Sequence, residues 1–212
     1  MNPKQLLRCG LLTGQAVAMP LLLGRTGLTW PALTTWALLA LVLATALALA
    51  LERPWPLAAA VLLALLGCWG SWSLLPLALA QIGLAWLVVT QKLSMRLTTT
   101  GWLVITAFLQ LLLFAKLDTV LTLAAVTAVG AVTLPAGLAL WSREWPVWVL
   151  VLLQAVLAVL TAYLQVFTLP TAAVALILGI ALDPRLRKWP AWAYAALPLL
   201  LALLNVYTHF HG

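Results

Sequence analysis

Long apolar runs without a charged residue constrain this chain more than any other feature of its sequence. Charged residues make up only 7% of the 212 positions, whereas 66% are hydrophobic. The runs between charged residues cover 9–24, 26–51, 54–91, 97–115, 119–142, 145–182 and 189–212. Because a helix needs about 20 mostly apolar residues to cross a bilayer, these runs predict an integral membrane protein. They exclude a water-soluble globular domain and a disordered chain.

The lengths of the runs predict eight or nine membrane-spanning helices. Two of them, 54–91 and 145–182, hold 38 residues each, which is too long for one crossing and right for two helices joined by a tight turn. The weakest candidate spans are the terminal ones. Residues 9–24 also have the pattern of a secretory signal, but no convincing cleavage site precedes Arg25, so we expect a helix there. Residues 189–207 are also compatible with a helix along the membrane surface.

The distribution of Lys and Arg predicts the topology. With nine spans, one side of the membrane receives only Arg25 and Lys116. The other side receives Lys4, Arg8, Arg53, Lys92, Arg96, Arg143, Arg185, Arg187 and Lys188. Since basic residues accumulate on the cytoplasmic side, we expect a multi-pass protein of the cell inner (plasma) membrane with a cytoplasmic amino terminus and an external carboxyl terminus. This topology also explains the net charge of +7, so we expect no nucleic-acid partner.

Two parts of the sequence resemble each other. Glu-Arg-Pro-Trp-Pro at 52–56 and Arg-Glu-Trp-Pro at 143–146 both follow a Leu-Ala-Leu segment and open the two 38-residue runs. The pattern predicts an all-α bundle in which two parallel three-helix repeats are joined by a linker helix, with extra terminal helices. The predicted single membrane domain, 1–212, comprises a first repeat at 26–91, the linker at 97–116, a second repeat at 117–183 and an extra helix at 189–207. Similarity through Leu/Ala-rich composition alone is the alternative.

Groups for catalysis are scarce. The four acids, Glu52, Asp118, Glu144 and Asp183, fall at predicted helix ends, so no carboxylate pair shares a helix face. His209 and His211 lie in a carboxyl-terminal segment that we expect to be frayed, and Cys9 and Cys68 lie in different helices. We therefore expect no enzyme, no catalytic residue, no metal site and no cofactor.

Uncharged polar and aromatic residues are the candidates for binding. Glutamine in hydrocarbon must find hydrogen-bonding partners, so these side chains are expected to point into the bundle. Gln154, Thr161 and Gln165 are spaced to share one helix face. The candidate substrate-binding residues are Trp69, Gln81, Trp86, Trp148, Gln154, Thr161, Tyr163 and Gln165. Amides beside indole rings suit a flat, neutral ligand, although glutamine and threonine also serve simply to join helices.

These features resemble the PnuC family of vitamin transporters over about residues 28–189. The shared elements are the three-one-three plan and the following residues: 52–56 with Gln81 after it, Asp118, Trp145, Trp148, Tyr163, Gly179 and Trp189. The resemblance implies a facilitator for nicotinamide riboside, riboflavin or thiamine. It also implies a substrate held between the two triplets by Trp, Gln and Tyr side chains and phosphorylated inside the cell by a separate kinase.

The sequence thus predicts a facilitator that moves a small neutral or weakly charged vitamin or nucleoside-like substrate by alternating access. Its expected partners are that substrate and the lipid bilayer, with a homo-oligomer or a partner membrane subunit left open. The alternative is a non-catalytic accessory or assembly subunit of a larger membrane complex. A transporter is expected to gather its Gln and Trp side chains around an internal cavity, whereas an accessory subunit directs them toward a partner or lipid.

Overall fold

The chain is mainly helical in the part that the computed structural model describes, residues 2–23, 32–117 and 122–211. Arg25 and Asp118, which the topology and resemblance arguments use, lie outside these residues. Within them there are nine α-helices and no β-strand, which confirms the all-α class. The helices are α1 (Pro3–Leu23), α2 (Leu33–Leu51), α3 (Trp55–Gly67), α4 (Leu75–Thr90), α5 (Met95–Leu117), α6 (Leu123–Trp141), α7 (Val147–Tyr163), α8 (Leu169–Ala181) and α9 (Ala191–His211).

Five of the described helices, α2, α4, α5, α6 and α9, are long and apolar enough to cross a membrane. These five helices are consistent with a membrane protein, and one of them, α9, lies in the carboxyl-terminal apolar run. Three further apolar helices, α3, α7 and α8, have 13, 17 and 13 residues. The count of eight or nine spans stays a prediction.

Each 38-residue apolar run holds two helices, as its length predicts. The first run holds α3 and α4, and the second holds α7 and α8. Pro56, Pro76 and Pro170 stand in the first turns of α3, α4 and α8. Proline suits these positions because its missing N–H has no partner in the first turn of a helix. The prolines therefore mark where three of these four helices begin.

The chain divides into two compact units, Met1–Thr122 and Leu123–Gly212. In the first unit, α2, α3 and α4 pack against one another, and α1 packs on α2 and α5. The predicted linker at 97–116 corresponds to α5, which packs within this unit against α1, α2 and α4. Gly101 permits the close approach of α5 to α4, since a Cβ atom there would lie 2.5 Å from Cγ2 of Val88. The single 1–212 domain stays a prediction.

In the second unit, α6, α7 and α8 pack against one another, and α9 lies against α6 and α8. Its buried residues include Val132, Leu150 and Leu201, with Ala136 and Ala139 where helices come close. The outer face of α7 carries large apolar side chains that are exposed in this chain. The helix therefore has one face in the unit and one face open to lipid or to another molecule.

Candidate functional site

Three buried glutamines of the first unit are the most unusual polar groups in the described structure. Gln81 on α4 is fully buried, and Gln15 on α1 and Gln110 on α5 are each 1% exposed. Both amide atoms of Gln81, both of Gln15 and Oε1 of Gln110 have no hydrogen-bond partner among the described residues. We call these three residues the amide set. An unpartnered buried amide costs about 1–3 kcal/mol, so a set of them in one unit calls for an explanation.

The amide set lies at one depth of the first unit. Helices α4 and α5 are joined by a short connection and touch where Val88 meets Gly101. Gln81 precedes Val88 by seven residues, or two turns, so it lies on the α4 side that faces α5. Gln110 follows Gly101 by nine residues. At 1.5 Å per residue, its depth therefore differs from that of Gln81 by only about 3 Å. The spacing of nine residues also puts Gln110 on the side of α5 opposite α4.

Helix α1 is joined to α5 on that opposite side. Nε2 of Gln110 donates a 2.8 Å hydrogen bond to the main-chain oxygen of Gln15. Near the start of α1, the Arg8 guanidinium lies 5.5 Å from the ring centre of Trp102 and 3.0 Å from Oε1 of Glu52. Since Arg8 meets α5 at 102 and Gln15 meets it at 110, α1 and α5 run parallel. The amide set is therefore held by helix packing and by one hydrogen bond to the backbone.

In the second unit, Gln154 joins two helices. Its Nε2 donates a 2.9 Å hydrogen bond from α7 to the main-chain oxygen of Pro135 in α6. Thr161 is also buried, and its hydroxyl donates to the oxygen of Ala158 one turn earlier. These two predicted site residues share the inner face of α7. The hydrogen bond of Gln154 joins two helices, and that of Thr161 stays within α7. Ligand contact at these two residues stays a prediction.

The aromatic candidates do not lie with the buried amides. Trp69, Trp86, Trp148 and Tyr163 are between 50% and 82% exposed. Trp69 follows α3 and packs at 5.8 Å, between ring centres, against Trp72. Among the candidates, the amides of Gln81 and Gln154 therefore lie inside the units, whereas these four rings lie on their surfaces.

Gln165 does not share a helix face with Gln154 and Thr161. Helix α7 ends at Tyr163, and Gln165 is exposed beyond that end in the left-handed conformation, with φ 56°. The predicted three-residue face is wrong at this position, because the backbone turns before reaching it.

A buried charge lies at the end of α8. Nη2 of Arg185 lies 2.8 Å from Oδ2 of Asp183, and Nη1 donates to the main-chain oxygen of Trp145 at 2.6 Å. The Ser142 hydroxyl lies 3.2 Å from Oδ1 of Asp183. Burial alone would raise the pKa of the Asp183 carboxyl, but the hydrogen bonds and charge of Arg185, with the Ser142 hydroxyl, hold that pKa below its ordinary value. This carboxylate is a structural anion that fixes the loop after α8, as its predicted place at a helix end suggests.

The carboxyl-terminal histidine segment is helical rather than frayed, since α9 continues through His211. His209 is exposed and meets the edge of Phe210. Among the described residues, no three His, Cys, Asp or Glu side chains are grouped closely enough to hold a metal ion.

Gln15 is not among the binding residues predicted from the sequence. It is the one amide inside the apolar run 9–24, and this isolation in a weak membrane span is the signal that could have singled it out. Gln110 shows the same signal in the run 97–115. Comparison with protein-family models, with curated proteins and with solved structures finds no match to this chain.

Proposed function

We propose that this chain is a membrane transporter, a facilitator that carries a small neutral or weakly charged vitamin- or nucleoside-like molecule across the cell inner membrane by alternating access. The observation that carries the proposal is the amide set. Gln15, Gln81 and Gln110 offer hydrogen-bond donors and acceptors in an apolar helical unit, and most of these atoms are unpartnered. Polar groups inside membrane helices are costly and are usually retained for function.

The chemistry of the amide set favours an uncharged ligand. An amide offers two donors and one carbonyl acceptor and carries no charge. In the first unit, the only described carboxylate is that of Glu52, which is 73% exposed on its side chain and paired with Arg8. Gln81 lies on the α4 side of α5, and Gln15 and Gln110 lie on the opposite side. A ligand with several hydrogen-bonding groups and little charge would satisfy the buried amides on one of these two sides without a buried counter-ion.

The helix packing supports an extension of the proposed three-helix repeats, in which α5 joins the first repeat and α9 joins the second. Corresponding helices of the two units begin at residues 33 and 123, 55 and 147, 75 and 169, and 95 and 191. In addition, α5 contacts α2 and α4 as α9 contacts α6 and α8. Four spans return the chain to its starting side, so such repeats would be parallel, with α1 outside them. Parallel repeats are one of the arrangements on which transporters are built.

The resemblance to the PnuC family remains part of this proposal and supplies the ligands to test. The purified protein in detergent is titrated with nicotinamide riboside, riboflavin and thiamine while its tryptophan fluorescence is recorded. Free N-acetyltryptophanamide serves as the control for light absorbed by the ligand. We expect saturable quenching by one of the three ligands and at least tenfold weaker binding in Gln81→Leu.

Gln91→Leu is the matched control, because Gln91 is an exposed glutamine beyond the end of α4. A flat response to all three ligands would contradict the vitamin proposal, and equal loss in both variants would contradict a role for Gln81. Uptake of the bound ligand into proteoliposomes then separates a transporter from a binding protein. Binding without uptake would rule out the transport step.

A second candidate function, an accessory subunit of a membrane complex, is favoured by the exposed aromatic residues. Trp69, Trp148 and Tyr163 are each more than 60% exposed, which suits contact with lipid or with a partner helix. Mild detergent extraction followed by mass spectrometry of the purified assembly distinguishes the two functions. A partner in fixed stoichiometry, together with no ligand response, would favour the accessory subunit.

A further inference from the structure

A shallow, widely open apolar groove lies on the outer face of α7, beginning at the amino-terminal end of the helix. Its lining residues are Val147, Trp148, Val151, Leu152 and Ala155, and its volume is about 760 Å³. We call this the α7 groove. All five lining residues belong to α7, their lining surface is almost entirely apolar, and most of these side chains are exposed in the described structure.

The length of the α7 groove matches one leaflet of a bilayer. From Val147 to Ala155 the helix rises about 12 Å at 1.5 Å per residue. Half of a hydrocarbon core is about 15 Å. A groove that starts at a helix end and runs this far can therefore hold the upper part of one acyl chain.

Positive charge gathers at the end where the α7 groove begins. We call residues 183–188 the basic loop. The hydrogen bond from Arg185 to the oxygen of Trp145 fixes this loop beside the start of α7. Arg143 lies four residues before the groove and is exposed, as are Arg187 and Lys188.

The basic residues of this region outnumber its acids. The basic loop and residues 142–145 together contain four basic residues and two acids. Asp183 is already bound to Arg185. Among the described residues, neither Arg143 nor Lys188 forms an ion pair, and Arg187 stacks at 5.0 Å over the ring of Trp189. Trp189 in turn donates its ring N–H to the oxygen of Ala181 at 2.9 Å, so the position of Arg187 is fixed by a ring that is itself held.

We propose that this end of the second unit binds an anionic phospholipid, with an acyl chain in the α7 groove and the phosphate held by Arg143, Arg187 and Lys188. The predicted positive-inside topology assigns this end to the cytoplasmic leaflet, where anionic lipids attract basic residues. Cations in the segments that precede α7 and follow α8, next to the end where the apolar groove begins, match the order of phosphate and acyl chain in a phospholipid. The proposal is independent of any transported substrate.

The test uses the full-length protein in detergent micelles, titrated with phosphatidylglycerol or phosphatidylcholine that carries bromine on its acyl chains. Bromine quenches nearby tryptophan, and the difference from Trp148→Phe isolates the signal of the groove. We expect phosphatidylglycerol to quench Trp148 at concentrations about 100-fold below those needed for phosphatidylcholine. Arg143→Gln and Arg187→Gln/Lys188→Gln should each weaken that preference by about fivefold per cation removed.

Lys92→Gln is the matched control, because Lys92 is exposed at a different helix connection on the same predicted side of the membrane. It should leave the preference unchanged. Inorganic phosphate should not displace the brominated lipid, since it lacks the chain that fills the groove. Equal quenching by the two lipids, equal loss in Lys92→Gln, or displacement by phosphate would each overturn the proposal.

Discussion

Gly179 of α8 lies directly against the side-chain amide of Gln154 of α7. A Cβ atom at Gly179 would come within 2.6 Å of Cδ, Nε2 and Oε1 of Gln154. The same amide donates its hydrogen bond to the main-chain oxygen of Pro135. The missing side chain on α8 thus makes room for the hydrogen bond that joins α7 to α6, and three helices meet at one amide.

Gly179→Ala is expected to lower the free energy of unfolding by about 1–3 kcal/mol. The added methyl group must displace the Gln154 amide and lengthen its bond to Pro135. Thermal unfolding in detergent micelles measures the effect. Gly137→Ala in α6 is the control, because a Cβ atom there meets nothing within 4 Å, and it should be neutral or slightly stabilising. Equal melting temperatures for the two variants would contradict this account.

The end of α7 is set by a backbone motif. Val166 N–H donates to Thr161 oxygen at 2.9 Å and Gln165 N–H donates to Ala162 oxygen at 3.0 Å. Together with the positive φ of Gln165, these bonds form a Schellman motif. Glycine occupies that left-handed position in most such motifs, because a Cβ atom strains it.

Gln165→Gly is therefore expected to stabilise the protein by about 1 kcal/mol, measured as a rise in the midpoint of thermal unfolding. Thr168 supplies the control, because it precedes α8 with an extended backbone, φ −67° and ψ 156°. Thr168→Gly relieves no backbone strain and should lower the midpoint of thermal unfolding. If Gln165→Gly also destabilises, the side chain of Gln165 makes a contact that the backbone geometry does not explain.

Charge spacing predicted the bounds of α5 well because a charge inside hydrocarbon is costly and so marks where a helix leaves it. The predicted linker at 97–116 differs from α5, Met95–Leu117, by only one or two residues at each end. Hydropathy carries no information about which neighbour a nearly all-apolar helix contacts. The packing of α5 within the first unit depends on Gly101 and Val88, a fit that cannot be read from either residue alone.

The candidate site was less predictable for two reasons. Tryptophan and tyrosine suit both a ligand cavity and a lipid-facing or interfacial surface, so the sequence could not show that Trp148 and Tyr163 are exposed. No glycine at position 165 marks the end of α7 in the sequence, so the predicted helix face was continued past the last helical residue. The burial of Gln81 and Gln154 followed directly from the cost of an amide in hydrocarbon.

Asp183 gives the protein a dependence on acidic pH. Its pKa in the folded state is below the ordinary value, which is about 3.9 in an unfolded chain. The ionised carboxylate therefore contributes its full stability above that value, and the contribution is lost as the pH falls through the folded-state pKa. Asp183→Asn is expected to cost about 1–3 kcal/mol near pH 7.

The difference in the free energy of unfolding between wild type and Asp183→Asn should stay constant from about pH 7 to 5 and shrink below about pH 4. Melting temperatures across this range measure it. Glu52→Gln removes the partner of Arg8 from an exposed ion pair, which should cost well under 1 kcal/mol. A constant difference down to pH 3 would show that Asp183 does not titrate in this way.

Gln81 separates the stability of the fold from ligand binding. Leucine has a similar volume and no polar atoms, so Gln81→Leu removes two buried unpartnered amide atoms without opening a large cavity. We expect this variant to be more stable than wild type by about 1–2 kcal/mol, measured by thermal unfolding in detergent without ligand. Gln154→Leu should instead lose about 1–2 kcal/mol, because its amide donates the hydrogen bond to Pro135. If Gln81→Leu stabilises the protein and Gln154→Leu destabilises it, Gln81 lowers the stability of the fold, as expected of a residue retained for binding. Destabilisation by both substitutions would assign Gln81 to the packing of α4 and remove the main support for a ligand in the first unit.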